Sequence, residues 1–228
     1  AEGADIIDIG GESTRPGSAP VPAEEERRRV LGIVRHLIAN SDAVVSVDTM
    51  KPEVADACLE AGAHMINDVS GLAAGPRIAS LCASAKAALV VMHMRGTPSD
   101  MMLHTEYGDV VKDVIAELSA RMELAASAGV PEGSLVADPG FGFSKDAAQN
   151  IELLSRLREV SNMGYALLVG LSRKSTIGRI TGVQDAKARV PGSLAAMTAA
   201  IMKGADIVRV HDVAESAQAA KVADALRY

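Results

Sequence analysis

Residues 167–179 read LLVGLSRKSTIGR: an apolar run meets a glycine and then presents Ser172, Arg173, Lys174, Ser175 and Thr176 in succession. Two cations and three hydroxyls at the end of a buried strand make poor packing material and good anion or polar-ring ligands. The same pattern recurs along the chain. Apolar runs end in Thr14 and Arg15 (STRPG), Asp48 (SVDT), Asn67 (INDVSG), His93 (MHMRG), Asp138 (ADPGFGF), and Arg209 with His211 (VRVHD). Asp48, Asn67 and Asp138 offer carboxylates and an amide suited to a flat heterocycle rich in N–H donors and acceptors. Arg15, Lys174, Arg209 and His211 offer cationic donors suited to phosphate or carboxylate oxygens. A ring with guanidine-like edges and an anionic tail would satisfy both groups.

Several of these residues also admit plainer roles. Asp48 precedes Thr49 and Asp138 precedes Pro139, so either could cap a helix or a turn, and Asn67 could close one. His93, between two methionines, reads as a hydrogen-bonded structural histidine. Arg209 and His211 alternate along the last strand and so point the same way. His36, His64 and His104 have no partner at metal-ligand spacing, so no zinc site is expected. Neither a Walker lysine pattern nor a GxGxxG after a strand is present.

Seven apolar runs would position these groups, starting near Asp5, Val44, His64, Leu89, Leu135, Ala166 and Asp206, each followed by a helical pattern. Three stretches repeat one unit: AEGADIIDIGG, LEAGAHMINDVS and IMKGADIVRVHD. Each has a helix-like end, a Gly where a C-terminal cap belongs, and a short apolar run ending in polar residues. Runs apolar on both faces are what parallel strands covered by helices require. No linker or composition break divides the 228 residues, so a single domain over 1–228 is expected. Seven strands alternating with helices predict an α/β fold, either a (β/α)8 barrel lacking one unit or an open doubly wound sheet, and the start of the chain favours the barrel. The opening AEGAD reads as a helix tail, which places the first β-strand and most of the first helix outside this chain. In such a barrel all the polar strand ends meet on one rim, while turns such as AGVPEG and NMG lie on the other.

Composition narrows the partners. Hydrophobic residues make up 48% but aromatics only 2%, with no Trp, so the core is built from Ala, Val, Ile, Leu and Met. A net charge of −6 argues against a nucleic acid partner. No run approaches the ~20 apolar residues of a membrane span, and no signal peptide opens the chain. Cys58 and Cys82 lie in Ala-rich helical patterns and are expected to be buried free thiols of a cytoplasmic protein. The EEERRR run, residues 24–29, reads as a solvated helix start.

The blocks GGESTRPG, SVDTxKPEV, GAHxINDVSG, VVMHMRGTP, DPGFGF, GLSRKSxIG and IVRVHDV, in this order, closely resemble the dihydropteroate synthase family over essentially the whole chain. That resemblance implies a (β/α)8 barrel, usually dimeric, joining 6-hydroxymethyl-7,8-dihydropterin diphosphate to p-aminobenzoate with release of pyrophosphate. It implies that Asp48, Asn67, Asp138, Lys174 and Arg209 line the pterin pocket, and that Arg209 and His211 hold the diphosphate. Thr14, Arg15 and Pro16 would lie on a mobile loop that, with Phe143, Lys174 and Ser175, shapes the p-aminobenzoate pocket. Asp138, Lys174, Arg209 and Asp48 would carry the chemistry. Mg2+ is implied on the diphosphate, its protein ligand belonging to an Asn-Val-Thr-Pro-Asp-Ser-Phe-type segment that has no counterpart here. Other readings of the same residues are a pterin-dependent methyltransferase barrel or a catalytically inactive pterin-binding fragment.

Overall fold

The computed structural model describes residues 2–227. Seven strands, β1 (Ile6–Gly10), β2 (Val44–Asp48), β3 (Met65–Asp68), β4 (Ala88–Met92), β5 (Leu135–Asp138), β6 (Ala166–Val169) and β7 (Ile207–Val208), pair in sequence order. Every pairing is parallel. Among the described residues nine α-helices follow the strands, two of them after β5 and two after β6: α1 (Ala23–Asn40), α2 (Pro52–Glu60), α3 (Arg77–Ala85), α4 (Val110–Ser127), α5 (Ala147–Ser155), α6 (Leu157–Ser161), α7 (Ser175–Thr181), α8 (Val190–Met202) and α9 (Val213–Arg227). The expected strand starts agree with the observed ones to within a residue, and the sheet curls as a barrel of this class does.

Period-two alternation sorts each strand into an outward and an inward set. Val45, Val47, Ile66, Leu89, Val91, Leu135, Ala137, Leu167 and Val169 face the helices and join the main core. Inside the curl, Met65, Val90, Val136 and Leu168 pack with Ile6 and Ile207 into a plug. One repeat further along the same strands come Asp8, Asp48, Asn67, Met92, Asp138, Gly170 and Arg209. Hydrophobic burial thus fixes the floor, and strand register lifts the polar residues to the mouth: Asp48 lies beside Asn67, and Asp138 beside Met92. Unlike β3 and β5, which are buried along their whole length, β1 and β7 are mostly half-buried. They do not pair with each other among the described residues.

The helix starts follow local chemistry. Pro52 occupies the first turn of α2, where its missing N–H costs nothing. Asp109 caps α4 by accepting from the N–H groups of Val111 and Lys112 at 3.1 Å each. Asp146 and Gln149 form a capping box at α5. Cys58 and Cys82 are free and buried, as expected, and burial pushes their thiols up to about 11 and about 12.

One expectation needs correction. The charged run that opens α1 is not solvated throughout, because Glu26 is fully buried. Its carboxylate meets Lys51, which also pairs with Glu12. The ammonium makes that burial tolerable, since a buried charge left alone is among the costliest defects a core can hold. Lys51→Met is therefore expected to lower unfolding free energy by about 3 kcal/mol, read as a lower urea midpoint. An unchanged midpoint would show that the cluster contributes nothing.

Candidate active site

The mouth layer borders a solvent-open basin, about 420 Å³ including the solvent at its opening, lined by Thr14, Asp48, Asn67, Val69, Met92, Asp138, Phe143, Gly170, Ser172, Lys174, Arg209 and His211. The residues read from the strand ends of β2, β3, β5, β6 and β7 therefore share one cavity. Gly170 holds the inward mouth position of β6, where any side chain would take up part of that space.

Each polar group is oriented by its neighbours. Asn67 donates from Nδ2 to Asp8 Oδ2 at 3.3 Å. Its Oδ1 is buried without a partner, as is Asp8 Oδ1. Unmet buried acceptors are costly, so these two atoms mark where ligand donors belong. Arg209 donates from Nε to Asp8 Oδ2 at 2.7 Å and from Nη2 to Asp48 Oδ2 at 3.2 Å, joining β7 to β1 and β2. Burial pushes the Asp48 carboxyl up to about 7, the charge of Asp8 adds to this, and Arg209 opposes it. Asp138 spends Oδ1 on the N–H of Gly140 at 2.8 Å. It is thus both the turn cap and a pocket acid. Burial raises its carboxyl, against that N–H and the charge of Lys174. Asn67 does not close the β3 turn; Asp68 does, accepting from Ser70 and Leu72 N–H at 2.9 and 2.8 Å.

Lys174 reaches the mouth because Arg173 turns the chain. Arg173 adopts φ 58°, rare for a residue with a side chain. Its N–H donates to Ser193 Oγ at 2.9 Å, and Arg189 donates to its carbonyl at 2.9 Å. Its guanidinium pairs with Asp212 and does not line the basin, so of the two cations offered by the polar run only Lys174 reaches it. Lys174 then points inward, donating to the carbonyl of Phe141 and lying 4.8 Å from the centre of the Phe143 ring. Burial pushes its ammonium down to about 8, while Asp138 favours the charged form. His211 bonds Ser172 Oγ through Nδ1 at 3.0 Å.

Other expected site residues lie apart. Arg15 and Pro16 are exposed on the loop after β1, and Ser175 is exposed at the start of α7; none of the three lines the basin. That loop closes at its neck, where Glu12 accepts from Val21 N–H at 3.2 Å. Its Gly17 N–H donates to Pro98 O, in the loop after β4, at 3.0 Å. His93 is hydrogen-bonded beneath the mouth, to Glu117 at 3.0 Å and Lys145 at 2.9 Å. Asp8 was missed from sequence, and Ser172 was named in the polar run without a specific role. Asp8 carried a readable signal, since it alternates with Ile6 and Gly10 and so must face inward. Among the described residues no group of three or more His, Cys, Asp or Glu could hold a metal ion. The cationic Arg209 beside His211 suits anions, and this chain's residues do not fit a resident Mg2+ cage.

Acids facing cations at the C-terminal mouth of a parallel barrel define an enzyme site for a small polar ligand. Residues 1–211 match the family model described as pterin binding enzyme. The chain is 48% identical over 224 residues to a dihydropteroate synthase of Synechocystis sp., covering 98% of this chain and 78% of that protein. A Xanthomonas albilineans dihydropteroate synthase with 4-aminobenzoic acid superposes with a TM-score of 0.93 at 45% identity, covering 99% of this chain and 80% of that one. A Yersinia pestis dihydropteroate synthase in a sulfonamide complex gives 0.94 at 41%, covering 99% and 82%. The chain belongs to the pterin-binding enzymes, within the dihydropteroate synthases.

Proposed function

We propose that this protein condenses 6-hydroxymethyl-7,8-dihydropterin diphosphate with p-aminobenzoate, giving 7,8-dihydropteroate and pyrophosphate. The observation that carries the reading is one basin in which Asp48, Asn67 and Asp138 oppose Lys174, Arg209 and His211. The acids and the amide take the ring's donor edge, and the unpartnered Asn67 Oδ1 accepts from it. Arg209 and His211 take the diphosphate, Arg209 from its seat between Asp8 and Asp48. Thr14 and Phe143, with Lys174, shape the p-aminobenzoate side, to which Arg15, Pro16 and Ser175 belong once the loop after β1 closes.

The reaction breaks the C–O bond to the diphosphate, its electron pair leaving with the oxygen. The methylene carbon gains positive character, which Asp138 and Asp48 stabilise electrostatically. The weakly basic amine of p-aminobenzoate forms the C–N bond and loses a proton, so it requires placement more than activation. Mg2+ belongs to this reading as a counter-ion held through the diphosphate's own oxygens. A cytoplasmic homodimer completes it, on the strength of the sequence resemblance.

Incubation with the dihydropterin diphosphate, p-aminobenzoate and Mg2+ tests the proposal. Pyrophosphate release that depends on p-aminobenzoate is expected. Pterin binding without turnover would instead identify an inactive binding module.

A further inference from the structure

Lys145 is 2% exposed, lies outside the basin, and has no part in the chemistry above. Its ammonium has three protons and meets three acceptors: His93 Nδ1 at 2.9 Å, Gly140 O at 3.2 Å and Phe143 O at 3.1 Å. The Glu117 carboxylate, held charged by His93 and Arg95, only accepts, so the imidazole proton sits on Nε2 and Nδ1 of the neutral ring accepts from Lys145. That N–H donates to Glu117 Oε2 at 3.0 Å, and Arg95 Nε donates to Glu117 Oε1 at 2.9 Å. The line runs from the half-exposed surface of α4 to the underside of the β5 loop.

That loop is unusual backbone. Gly140, Gly142 and Ser144 all have positive φ, 69°, 77° and 45°. A Cβ on Gly140 would stand 1.9 Å from the carbonyl oxygen of His93, so the loop is pressed directly against β4. Side chains hold its groups one after another: Lys145 takes Gly140 O, Lys174 takes Phe141 O, Asn150 accepts from Gly142 N–H at 2.7 Å, and Lys145 takes Phe143 O. Between Pro139 and Lys145 only Phe143 lines the basin. The Asp138 turn at the other end is already closed within the loop by Gly140 N–H.

We propose that Lys145, seated on His93 and Glu117, is a positioning residue that sets the Phe143 ring and hence the p-aminobenzoate side of the pocket. This rests on the function proposed above. Burial pushes the ammonium down to about 7 against the pull of Asp138, with Lys174 and Arg121 lowering it and Glu117 raising it. Burial and the charge of Lys145 push His93 down to about 4 against Glu117, so His93 is neutral at working pH.

Lys145→Met keeps the length and loses the donors. It is expected to raise KM for p-aminobenzoate at least about fivefold while KM for the dihydropterin diphosphate changes less than about twofold, the signature of one misplaced wall. Equal losses for both substrates, or no change in either, would overturn the inference. Nitrogen NMR of wild-type histidines provides a test that does not depend on the variant folding. His93 is expected to stay neutral with its proton on Nε2 from about pH 6 to 8, and a protonated Nδ1 would leave Lys145 without that acceptor and overturn it. Wild-type turnover in the same assay checks the function separately: an inactive wild type removes the proposed reaction and leaves the NMR test of the network standing.

Discussion

Asp138→Ala is expected to lower kcat/KM by at least about tenfold, a loss of about 1.4 kcal/mol of transition-state stabilisation, and Lys174→Ala to do the same. The two effects share a cause. Asp138 is 7% exposed at the last position of β5, with one oxygen committed to Gly140 and the carboxylate facing Lys174 across the basin. Burial works against the charge on each, and each favours the charge on the other. Removing the carboxylate therefore drives the Lys174 ammonium below its value of about 8. A reaction that needs the ammonium then loses rate at lower pH, so the basic limb of the Asp138→Ala profile moves down. Asp138→Asn separates cap from charge, because its amide oxygen still accepts from Gly140. It should fold normally and keep the rate defect. Near-normal rates in both alanine variants would remove the pair from the chemistry.

Arg209→Met has the largest expected effect, about a hundredfold in kcat/KM or about 2.7 kcal/mol. Its guanidinium touches both Asp8 and Asp48 and faces the proposed diphosphate position. Without it the two acids confront each other in a site where Asp48 already stands at about 7. The pH dependence follows by linkage. A carboxyl whose folded value lies above its unfolded value near ~4 stabilises the fold fully below the unfolded value. That contribution is lost as pH rises through the folded value. Losing Arg209 raises Asp48 further, so the melting-temperature gap between wild type and variant should be wider at pH 8 than at pH 5. An equal gap at both would mean that Arg209 does not control the charge on Asp48.

The strands and most of the mouth were legible because a parallel strand buried on both faces reads as an apolar run, and its polar end then announces the rim. Asp48, Asn67, Asp138, Lys174 and Arg209 were found this way. Residues whose place depends on a distant partner were not. Glu26 sits in a run of six charges and looks solvated until Lys51, 25 residues on, is seen to neutralise it. Lys145 follows a glycine-rich turn and resembles a surface residue until His93, 52 residues back, supplies its acceptor. Arg173 shares the polar run with Lys174, yet a single left-handed φ sends the two side chains in different directions. Asp8 was readable, since its alternation with Ile6 fixes its face, but its short strand ends in a more conspicuous polar loop.

A crystal structure with the dihydropterin bound tests the central claim most directly. The account predicts the ring's donor edge against Asp48, Asn67 and Asp138, with Lys174 beside it and the hydroxymethyl side toward Arg209 and His211. A pterin seated outside this mouth, or touching only one of those five strand ends, would contradict it.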